Sequence, residues 1–118
     1  MNVVADAKAL NQTRIDGQLC EKKPLRHTPA GVPVAEARLL HESEQEESKL
    51  SRQVKCEISL LALGAQAAWL EAAPLGASLA VGGFLAARSR NSKTLVLHVQ
   101  TLEFLEGKEN GQILQEEG

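Results

Sequence analysis

The chain has 118 residues, 43% of them hydrophobic, and a formal net charge of −2. This suits one domain with a single packed core. No apolar run approaches the roughly 18–20 residues a membrane span needs, and the N-terminus lacks the apolar stretch of a secretory signal, so a cytoplasmic protein is the expectation. The near-neutral total hides an uneven distribution. After Leu105 the chain holds Lys108 against Glu106, Glu109, Glu116 and Glu117. Through Leu105 the positive charges outnumber the negative by one, and a ligand feels local fields more than the total.

Residues 1–10 carry weak alternation and read as an N-terminal extension. Thr13, Ile15, Gly17 and Leu19 then alternate with Arg14, Asp16, Gln18 and Cys20. Period two of this kind marks a half-buried strand, and Gly17 within it points to a bulge or a sharp coil. The turn Pro24-Leu25-Arg26-His27-Thr28-Pro29-Ala30-Gly31-Val32-Pro33 follows, stiffened by proline and preceded by Lys22 and Lys23. A second strand runs from Val34 to Glu42, with Ala35, Ala37 and Leu39 on one face and Glu36 and Arg38 on the other. His41 to Lys49 is too polar for a core and reads as a hairpin extension or a mobile loop. A third strand covers Arg52 to Leu63.

Ala65 to Ala73 is rich in helix formers and is stopped by Pro74 and Gly76, which predicts a short helix. Ser78 to Ala87 is the fourth strand, with Gly82-Gly83 as a bulge. A second basic loop, Arg88-Ser89-Arg90-Asn91-Ser92-Lys93, leads into a fifth strand over Thr94 to Leu105. The Gly- and Glu-rich remainder, 106–118, reads as an acidic flexible tail. Three strands, a helix and two strands is the order of an all-β, five-stranded Greek-key oligonucleotide-binding (OB) barrel with a short helix after strand three. In that fold the loops joining strands one–two and four–five flank the binding face. Both basic clusters fall in those loops.

Catalysis and cofactors find little support. His27, His41 and His98 lack partners at catalytic spacing, and adjacent strand residues such as His41 and Glu42 point to opposite faces. No nucleophile elbow or phosphate-cradling glycine loop occurs. Cys20 and Cys56 form no C-x-x-C pair and no zinc spacing, so two reduced thiols and no metal or cofactor are expected. The aromatic residues are Trp69, Phe84 and Phe104. Each reads as core or helix packing rather than as a platform for a base.

Pro24-Leu25-Arg26, Pro29-Ala30-Gly31-Val32-Pro33, Leu40-His41-Glu42-Ser43, Gln45-Glu46-Glu47, Arg52-Gln53-Val54-Lys55-Cys56, Gly82-Gly83-Phe84-Leu85 and Leu95-Val96-Leu97-His98 stand in this order. Together they resemble the bacterial primosomal replication protein N (PriB) family, a branch of the single-stranded DNA-binding proteins. The likeness runs over about residues 11–107, so 11–105 is taken as the OB domain. It implies a non-catalytic homodimer that binds single-stranded DNA and the primosomal helicase during replication restart. A protein-interaction scaffold with weak DNA binding and a general single-strand coating protein are the alternatives. The family's basic turn maps to Lys22, Lys23 and Arg26, and its basic loop to Arg88, Arg90 and Lys93. Arg52 matches a further basic position, and Lys55 is added as a cation of the same face. Leu50 and Lys55 stand where better-known members carry aromatics, and Glu42 stands where relatives are often basic. Weak, salt-sensitive, ionic binding is therefore expected.

Overall fold

A computed structural model describes residues 9–106 and 112–114. Its elements are β1 (Thr13–Lys22), β2 (Arg26–His27), β3 (Pro33–Glu47), β4 (Leu50–Leu63), α1 (Ala65–Ala72), β5 (Ser78–Ala87), β6 (Leu95–Glu106) and β7 (Gln112–Leu114). Five of them close a ring. β1 pairs antiparallel with β5 and with β3, β3 with β4, and β5 with β6. A short parallel contact of β4 with β6, Leu60 opposite Leu97, completes it. This is the expected OB barrel, and its five ring strands are β1, β3, β4, β5 and β6.

Alternation creates the core. Leu19, Leu39, Leu60, Leu79 and Leu97 face inward from all five ring strands and are 0–1% exposed. Helix α1 closes the barrel by burying Ala67 and Leu70. Its last turn leaves backbone carbonyls without intrahelical partners. Lys22 Nζ meets two of them, Glu71 at 2.8 Å and Ala73 at 2.7 Å. A cation there also complements the helix dipole.

Two glycines permit close strand crossings. β1 passes from β5 to β3 at Gln18. A Cβ on neighbouring Gly17 would strike the Leu40 carbonyl. Gly17 is thus a point of close approach rather than a bulge; the register shift of β1 lies further on, between Leu19 and Glu21. The expected irregularity at Gly82-Gly83 is present, where the register on β6 jumps from Thr101 to Val99.

The second and third ring strands are longer than their alternation indicates. β3 continues to Glu47 and β4 starts at Leu50, so the glutamate run is a two-stranded arm projecting from the barrel. Ser48 (φ 53°) and Lys49 (φ 66°) make its turn. Positive φ at both central residues matches the twist of a tight hairpin. Cross-strand pairs hold the arm, with Arg52 Nε 2.6 Å from Glu47 Oε1 and Lys55 Nζ 3.6 Å from Glu42 Oε2. The N-terminal extension and the acidic tail lie for the most part outside the described residues. Within 106–118, β7 pairs with β6 through Phe104 to Glu106.

Candidate nucleic-acid interface

The first basic turn is an ordered structure. Arg26 and His27 pair with Val34 and Pro33 on β3. Beyond them Thr28 N–H donates to the Val32 carbonyl, and Val32 N–H donates to Thr28 Oγ1 at 3.1 Å. The second loop is tied at its base, where Arg88 N–H donates to the Thr94 carbonyl at 2.9 Å. Ser92 Oγ accepts from Thr94 N–H within it. Both loops therefore hold their cations on defined backbone.

The two loops meet at Glu36. Strand alternation turns this residue outward from β3, and its side chain is 19% exposed. Arg26 Nη2 donates to Glu36 Oε2 at 2.7 Å. Lys23 Nζ lies 3.8 Å and Arg88 Nη1 3.7 Å from Glu36 Oε1. The Arg26 hydrogen bond holds the Glu36 carboxyl below the usual carboxylate range, outweighing the opposing effect of partial burial. The charges of Lys23, Arg26 and Arg88 act in the same direction.

The eight cations expected at the site therefore divide. Lys23, Arg26 and Arg88 converge on Glu36, whereas Arg52 and Lys55 are paired on the hairpin arm. Lys22 ties the end of α1, which is a structural duty. Arg90 and Lys93 make no ion pair among the described residues and are exposed.

Three features of this face escape a reading by residue type. Arg38 bridges Glu21, at 3.5 Å, and Glu57, at 3.4 Å, so the outer surfaces of β1, β3 and β4 are laced by ion pairs. Phe84 stacks on His98, with ring centroids 4.8 Å apart and planes 12° from parallel. Finally, Glu36, Leu61, His98 and Phe84 are successive register partners across β3, β4, β6 and β5. They form one outward row from the cation cluster to the aromatic pair. Phe104 packs against the core as expected, but Phe84 does not. Its neighbours Val81 and Leu85 turn inward, and alternation leaves Phe84 outside. Trp69 also stands out from α1, 37% exposed.

His41 is structural. Its Nδ1 donates to the Asp16 carbonyl at 2.7 Å and its Nε2 lies 2.8 Å from Ser43 Oγ. This fastens β3 to β1. Cys20 and Cys56 are free, exposed thiols on strand faces. Burial of its surroundings and the Glu57 charge push the Cys20 thiol up, away from the reactive thiolate. Among the described residues no cluster of His, Cys, Asp and Glu is arranged to hold a metal ion. No described helix is long and apolar enough to cross a membrane.

A closed OB barrel whose two flanking loops bring Lys23, Arg26 and Arg88 together at Glu36 on its outer face defines an oligonucleotide-binding type of protein. Sequence and structure comparisons narrow the class. The model of a family described as another single-strand binding protein family matches residues 11–101. The replication restart protein PriB of Bordetella pertussis is 39% identical over 98 residues, 83% of this chain and 92% of that protein. The structure of PriB from Ralstonia solanacearum superposes with a TM-score of 0.75 and 35% identity, covering 83% of this chain and 100% of that one. The single-stranded DNA binding protein from Thermus aquaticus shares the fold, with a TM-score of 0.70 and 24% identity over 92% of this chain and 54% of that one. The chain belongs to the PriB family of single-strand binding proteins.

Proposed function

We propose that the protein is a non-catalytic, single-stranded DNA-binding accessory of replication restart. In this reading Arg90 and Lys93 make the first phosphate contacts. Arg88, Arg26 and Lys23 extend the track along the outer face of β3 and β4, with Arg52 and Lys55 at the arm. The observation that carries the reading is the meeting of two separate basic loops at one residue, Glu36. The relatives' shared name, replication restart protein PriB, supplies the process. Stimulation of the primosomal helicase, or bridging to it, is the corresponding partner role, in the cytoplasm.

A homodimer fits the same picture. β1 pairs with β3 only from Gln18 onward. From Thr13 to Gly17 the edge opposite β5 has no strand partner among the described residues. An open edge of this kind readily pairs with a second copy.

The extent of ion pairing favours one second reading. Cations already engaged with carboxylates are less available to phosphate, which leaves room for a protein scaffold with weak DNA contact. Fluorescence anisotropy with a labelled oligothymidine at low salt separates the two, run beside helicase binding. Saturable binding of the single strand, with the matching duplex at least about tenfold weaker, is expected. Affinity weaker than about micromolar near physiological salt, with tight helicase binding, supports the scaffold instead.

A further inference from the structure

We infer that Glu36 is an internal stand-in for a DNA phosphate, an anion built into the phosphate site that lowers its affinity. The inference rests on the reading of single-strand binding and assigns the part of the site that sets its strength. Three cations from three positions in the chain, Lys23, Arg26 and Arg88, surround one carboxylate at 2.7 to 3.8 Å. A phosphodiester has the same charge as that carboxylate and offers the same kind of acceptor oxygens. Arginine takes either anion through the same planar fork of N–H donors.

Position and protonation agree with this role. Glu36 lies on the outer face of β3, between the two basic loops. Its side chain is partly exposed, so the cations can be reached from solvent. Its carboxyl is held below the usual range, so it remains an anion throughout the neutral range. A nucleic acid must therefore exchange one anion for another at this cluster. Such an exchange frees few counterions and contributes little to affinity. Arg90 and Lys93 carry no such competitor among the described residues, which makes them the entry point and Glu36 the brake.

The test compares the unaltered protein with Glu36→Gln. The amide keeps an oxygen for the Arg26 hydrogen bond and removes the charge. Oligothymidine affinity is expected to rise about tenfold at low salt, since a unit charge within hydrogen-bonding range of a phosphate site is removed. The slope of log affinity against log salt is expected to steepen by about 0.7 for each additional phosphate neutralised. Glu103→Gln, on β6 opposite Ala80 and five residues along the strand from His98, makes the same change in net charge away from the cluster and serves as the control. Equal increases from the two variants would reveal only a net-charge effect and overturn the inference, as would unchanged or weaker binding by Glu36→Gln. Glu36→Ser is the second variant where the glutamine protein does not fold. If neither folds, the carboxylate is a structural requirement and the inference falls. Absence of binding by the unaltered protein would instead remove the functional reading beneath it.

Discussion

Replacing Arg90 and Lys93 together by alanine is expected to weaken single-strand binding by about 10- to 100-fold at low salt, with stability almost unchanged. Of the eight cations proposed for the site, these two alone have no carboxylate or carbonyl partner among the described residues. Their contact with phosphate therefore displaces no internal anion, and each released counterion adds to affinity in full. Both are exposed on the loop between β5 and β6, so the loss of two surface side chains should alter stability by no more than about 0.5 kcal/mol each. Anisotropy gives the affinity and a thermal melt controls for folding. Arg52→Ala with Lys55→Ala is the informative comparison. Both cations are paired on the arm, and their removal should cost less affinity than the Arg90 and Lys93 pair. The reverse order would move the binding surface from the loop to the arm.

The largest stability effect is expected at Gly83. Gly83→Ala should destabilise the barrel by about 3–5 kcal/mol, among the larger losses a single substitution produces. A Cβ there would run into the backbone carbonyl of His98, with the Gln100 backbone nitrogen of the same strand 3.2 Å away. Neither neighbour is a side chain that can swing aside. The strands themselves would have to separate at the point where their register jumps. Val81, Leu97 and Val99 beside it are buried, so separation opens the core as well. Gly82 makes the contrast. Its Cβ would meet the Thr101 hydroxyl at 2.8 Å and the Arg14 chain at 3.3 Å, both on side chains that can turn. Gly82→Ala should cost about 1 kcal/mol or less. Urea unfolding of the two variants measures the difference, and equal midpoints would show that the crossing tolerates a methyl group.

The parts of the fold legible from sequence share one physical property. Residues 13–20, 34–41 and 58–62 each bury one face of a strand, so apolar side chains recur at period two. The run Glu42 to Glu47 lacks that signal because the hairpin arm has water on both faces. Its order comes from cross-strand pairs such as Glu47 with Arg52, which are visible only once register is known. Its turn, Ser48-Lys49, also lacks the Asn or Gly that usually announces positive φ. The site divides in a similar way. Loop positions of Arg26, Arg88, Arg90 and Lys93 follow from element order alone. The partner of three of the cations does not, because Glu36 reaches Arg88 only through barrel closure. Phe84 is the instructive case. Its apolar neighbours in sequence favour the core, yet alternation from Val81 and Leu85 places it outside, stacked on His98.

The paired cations also bear on mechanism. In the proposed reading, a surface on which carboxylates pair with most of the candidate cations would hold DNA loosely and release it readily. That behaviour suits a protein that passes a single strand to a partner more than one that coats it. The Glu36 cluster would then set the balance between capture at Arg90 and Lys93 and release along β3.

Salt dependence of oligothymidine binding tests the ionic character of the site most directly. Each phosphate neutralised on a single strand contributes about −0.7 to the slope of log affinity against log salt. About two to four phosphates neutralised, by Arg90 and Lys93 with partial help from the Glu36 cluster, correspond to a slope of about −1.4 to −2.8. Binding that falls with this slope across a tenfold salt range is the expected result. Affinity that stays flat across the same range would contradict it and place the grip in stacking on Phe84, His98 or Trp69.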